Sequence, residues 1–460
     1  MFRSGGVAVK LMLFALAVLA GCERASGPPP SVVVIVVDTL RADHLGAYGY
    51  ARATSPALDV HATAGALFEH AFSTSSWTVP SFGSILTGQI PARHAAGKIR
   101  RRVGRPIRRH GGKVLGQLDP SVQTLAEMLA ERGWATAAIV SNHFLDPRLG
   151  VARGFQSYDY VPADNAAKRR ADRVVDAALT WLDRHDAGPF FLVVHFFDPH
   201  MAYDAPSVTR GTFTRLYAGA GRLPVDSVPR IRRSIAALGP RERAFIAAAY
   251  DEEIAFVDRE IDRLLGELAR RGVLRTGLTI LTADHGEEFF EHGGFEHGHS
   301  LFQELLHVPF VVWGHDIRPE RVVIPISLVD VVPTVLEFLG LPSPADLAGV
   351  SLWPLLTGVG GGEGRALMAE GTLSGPEQQA LIEWPYKLID AGAAGENLYD
   401  LAADGGEVTD IRGERSEVAA RMSSRLREVV ASAARRTHGR REVALDPPTV
   451  ERLRALGYLE

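Results

Sequence analysis

Apolar, β-branched runs along this chain repeatedly stop at polar residues. Residues 31–37 end at Asp38, 135–140 at Ser141-Asn142-His143, 190–197 at Asp198-Pro199-His200, and 278–283 at Asp284-His285-Gly286. Residues 308–313 form another such run. Helical patterns fall between them, at 124–132, 169–184, 241–271 and 328–339. In the third, Ile254, Val257, Ile261, Leu264, Leu265 and Leu268 recur at the spacing of an amphipathic stripe. Continuous apolar strands alternating with helices predict an α/β fold, with a largely parallel central sheet and helices on both faces. Ligands of such sheets gather beyond the carboxyl ends of the strands. Three of these strands end in an Asp with a His at or near it.

A Gly-rich segment, 358–364, marks a domain boundary. Strand candidates at 365–370 and 379–389 follow, then Asn397-Leu398-Tyr399-Asp400 and a helix over 416–433. Together they predict a smaller C-terminal α+β domain spanning 365–460, behind a catalytic domain at 32–357. The last residues, 447–460, read as a short helix or ordered tail. At the other end, Arg3 and Lys10 precede an apolar run over 11–20, too short to span a bilayer. It ends Leu19-Ala20-Gly21-Cys22, which resembles the bacterial lipobox. The expectation is a signal peptide (1–21), lipid on Cys22, a tether (22–31) containing Pro28-Pro29-Pro30, and a body held at the cell envelope, facing the periplasm or exterior. Cys22 is the only cysteine, so none remains for disulfides, zinc ligation or thiol catalysis. The composition is that of a soluble globular protein, and a net charge of −4 argues against a nucleic-acid partner.

Asp38 directly follows a buried strand, where an ionised carboxylate is costly unless paired or metal-bound. Asp284-His285-Gly286 offers one hard oxygen and one imidazole nitrogen to a divalent cation. With these belongs Thr78-Val79-Pro80-Ser81-Phe82, running into Leu86-Thr87-Gly88. The chain resembles the sulfatase family of the alkaline phosphatase superfamily. The resemblance is carried by residues 37–46, by 78–88, and by Phe197-Asp198-Pro199-His200. It continues through Tyr250-Asp251-Glu252-Glu253-Ile254 with Val257-Asp258, Asp284-His285-Gly286-Glu287 and Glu291-His292-Gly293. Val308-Pro309-Phe310, Asp330-Val331-Val332-Pro333-Thr334 and Leu398-Tyr399-Asp400-Leu401 complete it. It implies metal ligation by Asp38, Asp284 and His285, with the Thr78 hydroxyl on the same cation. Thr39 stands where many sulfatases have a second metal-binding Asp, so the site has lost a charge or uses a hydroxyl. The cofactor implied is one divalent cation (Mn, Mg, Ca or Zn), with room for a second. His200 resembles the histidine that contacts the transferred group. Asp198, His297, His299 and Asn142 complete the implied substrate-binding set.

The family frame has Cys or Ser where this chain has Thr78, and Arg where it has Phe82. Sulfatases convert that Cys or Ser to formylglycine, whose hydrate carries two hydroxyls: one attacks sulfur and the other helps eliminate sulfate. Threonine offers one hydroxyl, which suits attack on phosphorus followed by discharge to water or an alcohol. The resemblance therefore implies an ester hydrolase or phosphotransferase acting through Thr78 on an anionic ester, lipid- or glycan-linked, with phosphate favoured over sulfate. Two alternatives stand beside it: a sulfuric ester hydrolase without formylglycine, and a degenerate envelope binding protein in which Thr78 merely caps a helix. The basic segment 98–113 reads equally as an arm for polyanions or a solvated loop. Trp77 reads as a core aromatic more than a pocket wall, and Glu287, Glu288 and Glu291 as groups orienting His285 or as an acidic helix start.

Overall fold

The structure is a computed structural model that describes residues 29–98, 114–162, 168–185, 188–217, 238–360, 364–436, 441–444 and 446–455. The signal segment with Cys22, most of the basic segment (99–113) and the last five residues lie outside the described residues.

Eight strands form the central sheet: β1 Val32–Val37, β2 Ala66–Phe68, β3 Ala135–Val140, β4 Ser157–Tyr160, β5 Phe190–Phe196, β6 Leu278–Ala283, β7 Phe310–Gly314 and β8 Glu320–Val322. Their order across the sheet is β8-β2-β7-β6-β1-β5-β3-β4. β1 pairs in parallel with β5 and β6, and β3 with β5 and β4. Only β7 runs antiparallel to its neighbours. β1, β5 and β6 are buried along their whole lengths, which explains why they read as unbroken apolar runs. The parallel register brings the carboxyl ends of β6, β1, β5 and β3 side by side. Asp284, Asp38, Phe197 and Ser141 therefore leave the sheet at one edge.

The run over 308–313 is not one strand. Pro309 lacks an N–H to give to a ladder, and the chain changes sheets there. His307–Val308 pairs with Ala71–Phe72 in a small separate sheet, and β7 begins at Phe310. Likewise 379–389 is a hairpin, Gln379–Glu383 and Tyr386–Asp390, turning at Trp384-Pro385. With Leu367–Glu370 and Glu396–Asp400 it makes a four-stranded antiparallel sheet, covered by the helix Ser416–Arg436. The segment Glu442–Ala444 then returns to pair with Val114–Gly116 beside the catalytic domain, and Pro447–Ala455 is helical.

The predicted helices form as α1 Thr78–Thr87, α2 Leu125–Ala130, α3 Ala171–Leu182, α4 Pro240–Arg270 and α5 Val331–Phe338. Thr124 and Glu127 close a reciprocal capping box at the start of α2. α4 is the main buttress. Asp251 on it accepts hydrogen bonds from His44, Tyr50 and Arg52, and Asp258 accepts the amides of Ala57 and Leu58. These acidic positions hold the segment after β1 against α4.

The two domains are joined by a small polar cluster. Lys387 and Glu407, both fully buried, lie 2.8 Å apart, and Glu407 also accepts the amide of Gln303 at 2.6 Å. His292 stacks on Phe302, with ring centroids 3.5 Å apart, and meets Glu304 at 2.8 Å through Nδ1. Burial lowers the affinity of His292 for a proton, but the Glu304 carboxylate outweighs it and pushes the imidazole up to about 8. Because the folded value lies above the ordinary one, protonated His292 stabilises the fold fully below about pH 6.5, and that contribution is lost as pH rises through about 8. Urea unfolding of the wild type should therefore weaken between pH 6.5 and 8, and His292→Gln should flatten that decline. An identical pH profile in the variant would contradict the assignment.

Candidate active site

Asp38 and Asp284 are fully buried at the ends of neighbouring strands β1 and β6. One oxygen of Asp284, Oδ1, accepts the amides of His285 (2.9 Å) and Thr39 (3.4 Å), which leaves Oδ2 without a partner. Asp38 Oδ1 is likewise without one. His285 donates Nδ1–H to the carbonyl of Gly286 at 2.9 Å, which fixes the tautomer and turns the Nε2 lone pair inward. That Nε2 stands 3.6 Å from Asp38 Oδ1 and 3.6 Å from Asp284 Oδ2. Gly286 is required here because a Cβ would collide with the carbonyl of Glu304.

Thr39 takes a left-handed φ of 57°, strained for a β-branched residue, and its hydroxyl has no partner. Tyr250 holds it there, donating its hydroxyl to the Thr39 carbonyl at 2.7 Å and accepting the amide of Arg41 at 3.0 Å.

Thr78 opens α1 but does not cap it. The N-cap is Trp77, and no side chain caps the helix. The hydroxyl instead faces inward, 3.4 Å from His285 Nε2 and 3.2 Å from Asn142 Nδ2. It also sits at the positive end of the helix dipole, which favours a developing alkoxide. Ser81, one turn on, and Ser73 both donate to the backbone carbonyl of Asp284. The Thr-x-Pro-Ser motif thus bolts its helix to the turn carrying Asp284 and His285. Gly88 ends the helix at φ 65°, with Val332 and Leu347 leaving little room for a Cβ.

Asn142 is placed by β3. Its Oδ1 accepts the amide of Phe144 at 2.8 Å, so Nδ2 must be the atom facing the site. Nδ2 spans Asp38 Oδ2 at 2.5 Å and the Thr78 hydroxyl. Burial, and then the charge of Asp284, hold the Asp38 carboxyl well above its ordinary range, with Asn142 partly opposing them.

His297 and His200 extend the cluster from His285. His200 donates Nδ1–H to the carbonyl of Met201 and stacks on Phe197. Burial and then the neighbouring His297 push it well below its ordinary value. The His297 ring lies against His285 (4.5 Å) and His200 (5.0 Å), with Nδ1 on Glu287 at 2.7 Å. Glu287 therefore orients His297 rather than His285, with Tyr203 donating to its second oxygen at 3.1 Å. Burial raises the Glu287 carboxyl to about 7.

Two expected contacts are placed elsewhere. Asp198 turns away from the cluster: it accepts the Ala171 amide at the start of α3 and lies 3.5 Å from Lys168. His299 pairs with Glu288 at 2.6 Å. Glu291 binds Arg41, and Trp77 is a core residue packed edge-on against Phe144.

His195 is the residue that sequence reasoning missed. It is the single polar side chain within β5, fully buried, with Nε2 3.8 Å from Asp38 Oδ2. Asp38, His195 and Asp284 have ligand atoms within 4.8 Å of one another. Burial lowers the imidazole to about 4, so it is neutral at physiological pH. A His interrupting an apolar strand was the available signal, but only the β1–β5 register reveals that it lies beneath Asp38.

These residues fit a divalent cation. Two buried carboxylates, each with an orphaned oxygen, and an inward imidazole lone pair are destabilising without positive charge between them. Asp38, His195 and Asp284 would hold the ion, with His285 Nε2 and the Thr78 hydroxyl beside it.

The family described as Sulfatase matches residues 30–341, and the chain is a hydrolase that belongs to the sulfatase family. It is 24% identical over 373 residues to the Delta 4,5-hexuronate-2-O-sulfatase of Bacteroides thetaiotaomicron, 74% of each chain. Against the arylsulfatase K of Xenopus laevis it is 26% identical over 297 residues, 56% of this chain and 55% of that protein. Among solved structures it superposes on the phosphonate monoester hydrolase of Agrobacterium radiobacter with TM-score 0.68 and 21% identity, covering 91% of this chain and all of the other.

Removing one buried carboxylate should separate stability from binding. Asp38→Asn should raise the stability of the metal-free protein, because it removes a buried carboxyl held above its ordinary range by burial and by Asp284, and abolish stabilisation by added divalent cations. Thermal melts with and without chelator measure both. A metal-free Asp38→Asn protein no more stable than wild type would contradict the electrostatic account.

Proposed function

We propose that this protein is a metal-dependent phosphoesterase or phosphotransferase in which Thr78 is the nucleophile, and that it favours phosphate esters, diesters in particular, over sulfate esters. The observation that carries the reading is the setting of the Thr78 hydroxyl. It is not used for capping; it is held by Asn142 Nδ2 and faces His285 Nε2, among carboxylates that call for a cation.

The bound cation would stabilise charge on the non-bridging oxygens and lower the hydroxyl pKa. The remaining steps belong to the chain. Asn142 directs an N–H at the Thr78 oxygen and supports it as negative charge develops. Thr78 Oγ1 gives up its proton to solvent and forms the new bond to phosphorus as the ester oxygen departs with its electron pair and takes up a proton from solvent. Water or an acceptor alcohol then displaces the threonine oxygen. His297, packed on His285, and His200, packed on His297, are our candidates to meet the phosphoryl oxygens or the leaving group. Glu287 keeps His297 in one orientation.

Phe82 supports the choice of phosphorus. It stands where the family frame has arginine, is fully buried, and packs edge-on against His195 with centroids 5.8 Å apart. Phe82 itself brings no guanidinium to support a formylglycine. The sequence relatives named above are sulfatases, and they favour the second reading, hydrolysis of a sulfated glycan.

Nitrophenyl phosphate monoester, phosphate diester and sulfate, assayed beside Thr78→Ala, separate the readings. Expected is cation-dependent turnover with the phosphodiester preferred, lowered at least about 10³-fold by Thr78→Ala. Sulfate turnover that exceeds phosphate turnover and depends on Thr78 would favour the sulfatase reading. A Thr78→Cys, Phe82→Arg protein made in formylglycine-forming cells tests whether the remaining site still supports sulfate chemistry.

A further inference from the structure

We infer that Lys168 is a positioning residue for His200: its buried ammonium ties the loop after β5 to α4, and so sets where the His200 imidazole stands. This role presupposes the preceding reading, in which His200 meets the transferred group, and holds whether that group is phosphoryl or sulfuryl.

The loop over 197–204 leaves the end of β5 and carries His200 beside His297. Loops are usually among the looser parts of a fold. This one is held by charge. Lys168 lies just before α3, with its side chain only 9% exposed. Its Nζ donates to the His200 carbonyl at 3.2 Å and to Oε1 of Glu253, on α4, at 3.1 Å. It also lies 3.5 Å from Asp198 Oδ1 and 3.3 Å from Asp204 Oδ1. One cation therefore meets the loop near its start, at His200 and at its end, and joins all of it to α4.

The neighbouring contacts repeat the pattern. Glu253 Oε1 accepts the Asp204 amide at 2.7 Å, and Arg170 donates to the Asp204 carboxylate at 2.6 Å. Asp198 and Glu253 have fully buried side chains, and Asp198 Oδ1 and Glu253 Oε2 have no hydrogen-bond partner. Carboxylates in that setting need positive charge close by. Lys168 supplies it to both. Burial disfavours the ammonium, but Glu253, Asp198 and Asp204 outweigh it and hold Lys168 above its ordinary value. Asp198 turns from the metal cluster for the same reason, since its free oxygen faces Lys168.

The orientation of His200 depends on this loop. Its Nδ1–H is given to the carbonyl of Met201 at 2.7 Å, and its ring stacks on Phe197 with centroids 4.5 Å apart. Both partners belong to the same loop. The loop orients the imidazole, and Lys168 fixes the loop.

The test compares Lys168→Met with Lys168→Met, Glu253→Gln. The second variant also removes the carboxylate that the lost ammonium would strand on α4. Thermal melts establish that each folds. Hydrogen-exchange mass spectrometry without substrate should show peptides within 197–204 exchanging at least about 10-fold faster than in wild type, with β1 and β6 unchanged. Second, kcat/KM is measured on whichever nitrophenyl ester, phosphate or sulfate, the wild type turns over fastest, in a double-mutant cycle with His200→Ala. Misplacing a reacting group by about 1 Å can cost about 100-fold. Each Lys168 variant should therefore lose at least about 10-fold, but less than about 2-fold where His200 is already Ala. Wild-type exchange over 197–204 in a folded variant overturns the inference. So does an equal loss with and without His200, which would make Lys168 a structural tie only. The exchange arm needs no substrate, and the cycle runs on either ester. A preference for sulfate would thus sink the phosphoester reading alone, whereas an additive cycle on a phosphodiester would sink this inference alone.

Discussion

Two carboxylates buried side by side, Asp38 and Asp284, are the constraint on which the rest of the site depends. Each lies at the end of a fully buried strand, so neither can escape to water without unravelling the sheet. Their mutual repulsion and desolvation are tolerable only with positive charge between them. The surrounding hydrogen bonds are organised around that need. Backbone amides hold one oxygen of Asp284, the Asn142 amide holds one oxygen of Asp38, and the remaining oxygens are left unpaired toward the imidazole of His285.

The nucleophile is positioned by the same framework. Ser73 and Ser81 fasten the first turn of α1 to the Asp284 carbonyl, so the Thr78 hydroxyl and the carboxylates cannot move independently. Asn142 then links Thr78 to Asp38 directly. This coupling accounts for a threonine that does no capping at a helix start, a place where threonine often caps. It also gives Phe82 a role: with arginine absent, an aromatic ring fills the space under the site and confines His195.

Much of this was legible in the sequence because buried parallel strands announce themselves as apolar runs, and the residues that end them fall at the ligand-binding edge. Asp38, Asn142, Asp284 and His285 come together for that reason, and Thr78 joins them through its motif. What stayed hidden depended on pairing and rotamer. His195 needed the register between β1 and β5. His297 lies against His285 and meets Glu287, while His299 pairs with Glu288, a difference that only side-chain placement shows. Asp198 carried the right residue type at the right strand end, yet the start of α3 captured it. The edge strands β4 and β8 are short and largely polar, and β2 beside β8 has only three residues, so periodicity did not reveal them. Pro309 and Pro385 split runs whose apolar character alone looked continuous.

The central claim is that the Thr78 oxygen becomes covalently bonded to phosphorus during turnover. Acid quenching of the cation-loaded protein in the first turnovers of a phosphodiester, followed by mass spectrometry of the peptide containing residue 78, tests it directly. The account predicts a phosphoryl adduct on Thr78 that forms no more slowly than turnover and is absent in Thr78→Ala. Steady phosphodiester turnover with no adduct on that peptide, and with activity surviving Thr78→Ala, would contradict it.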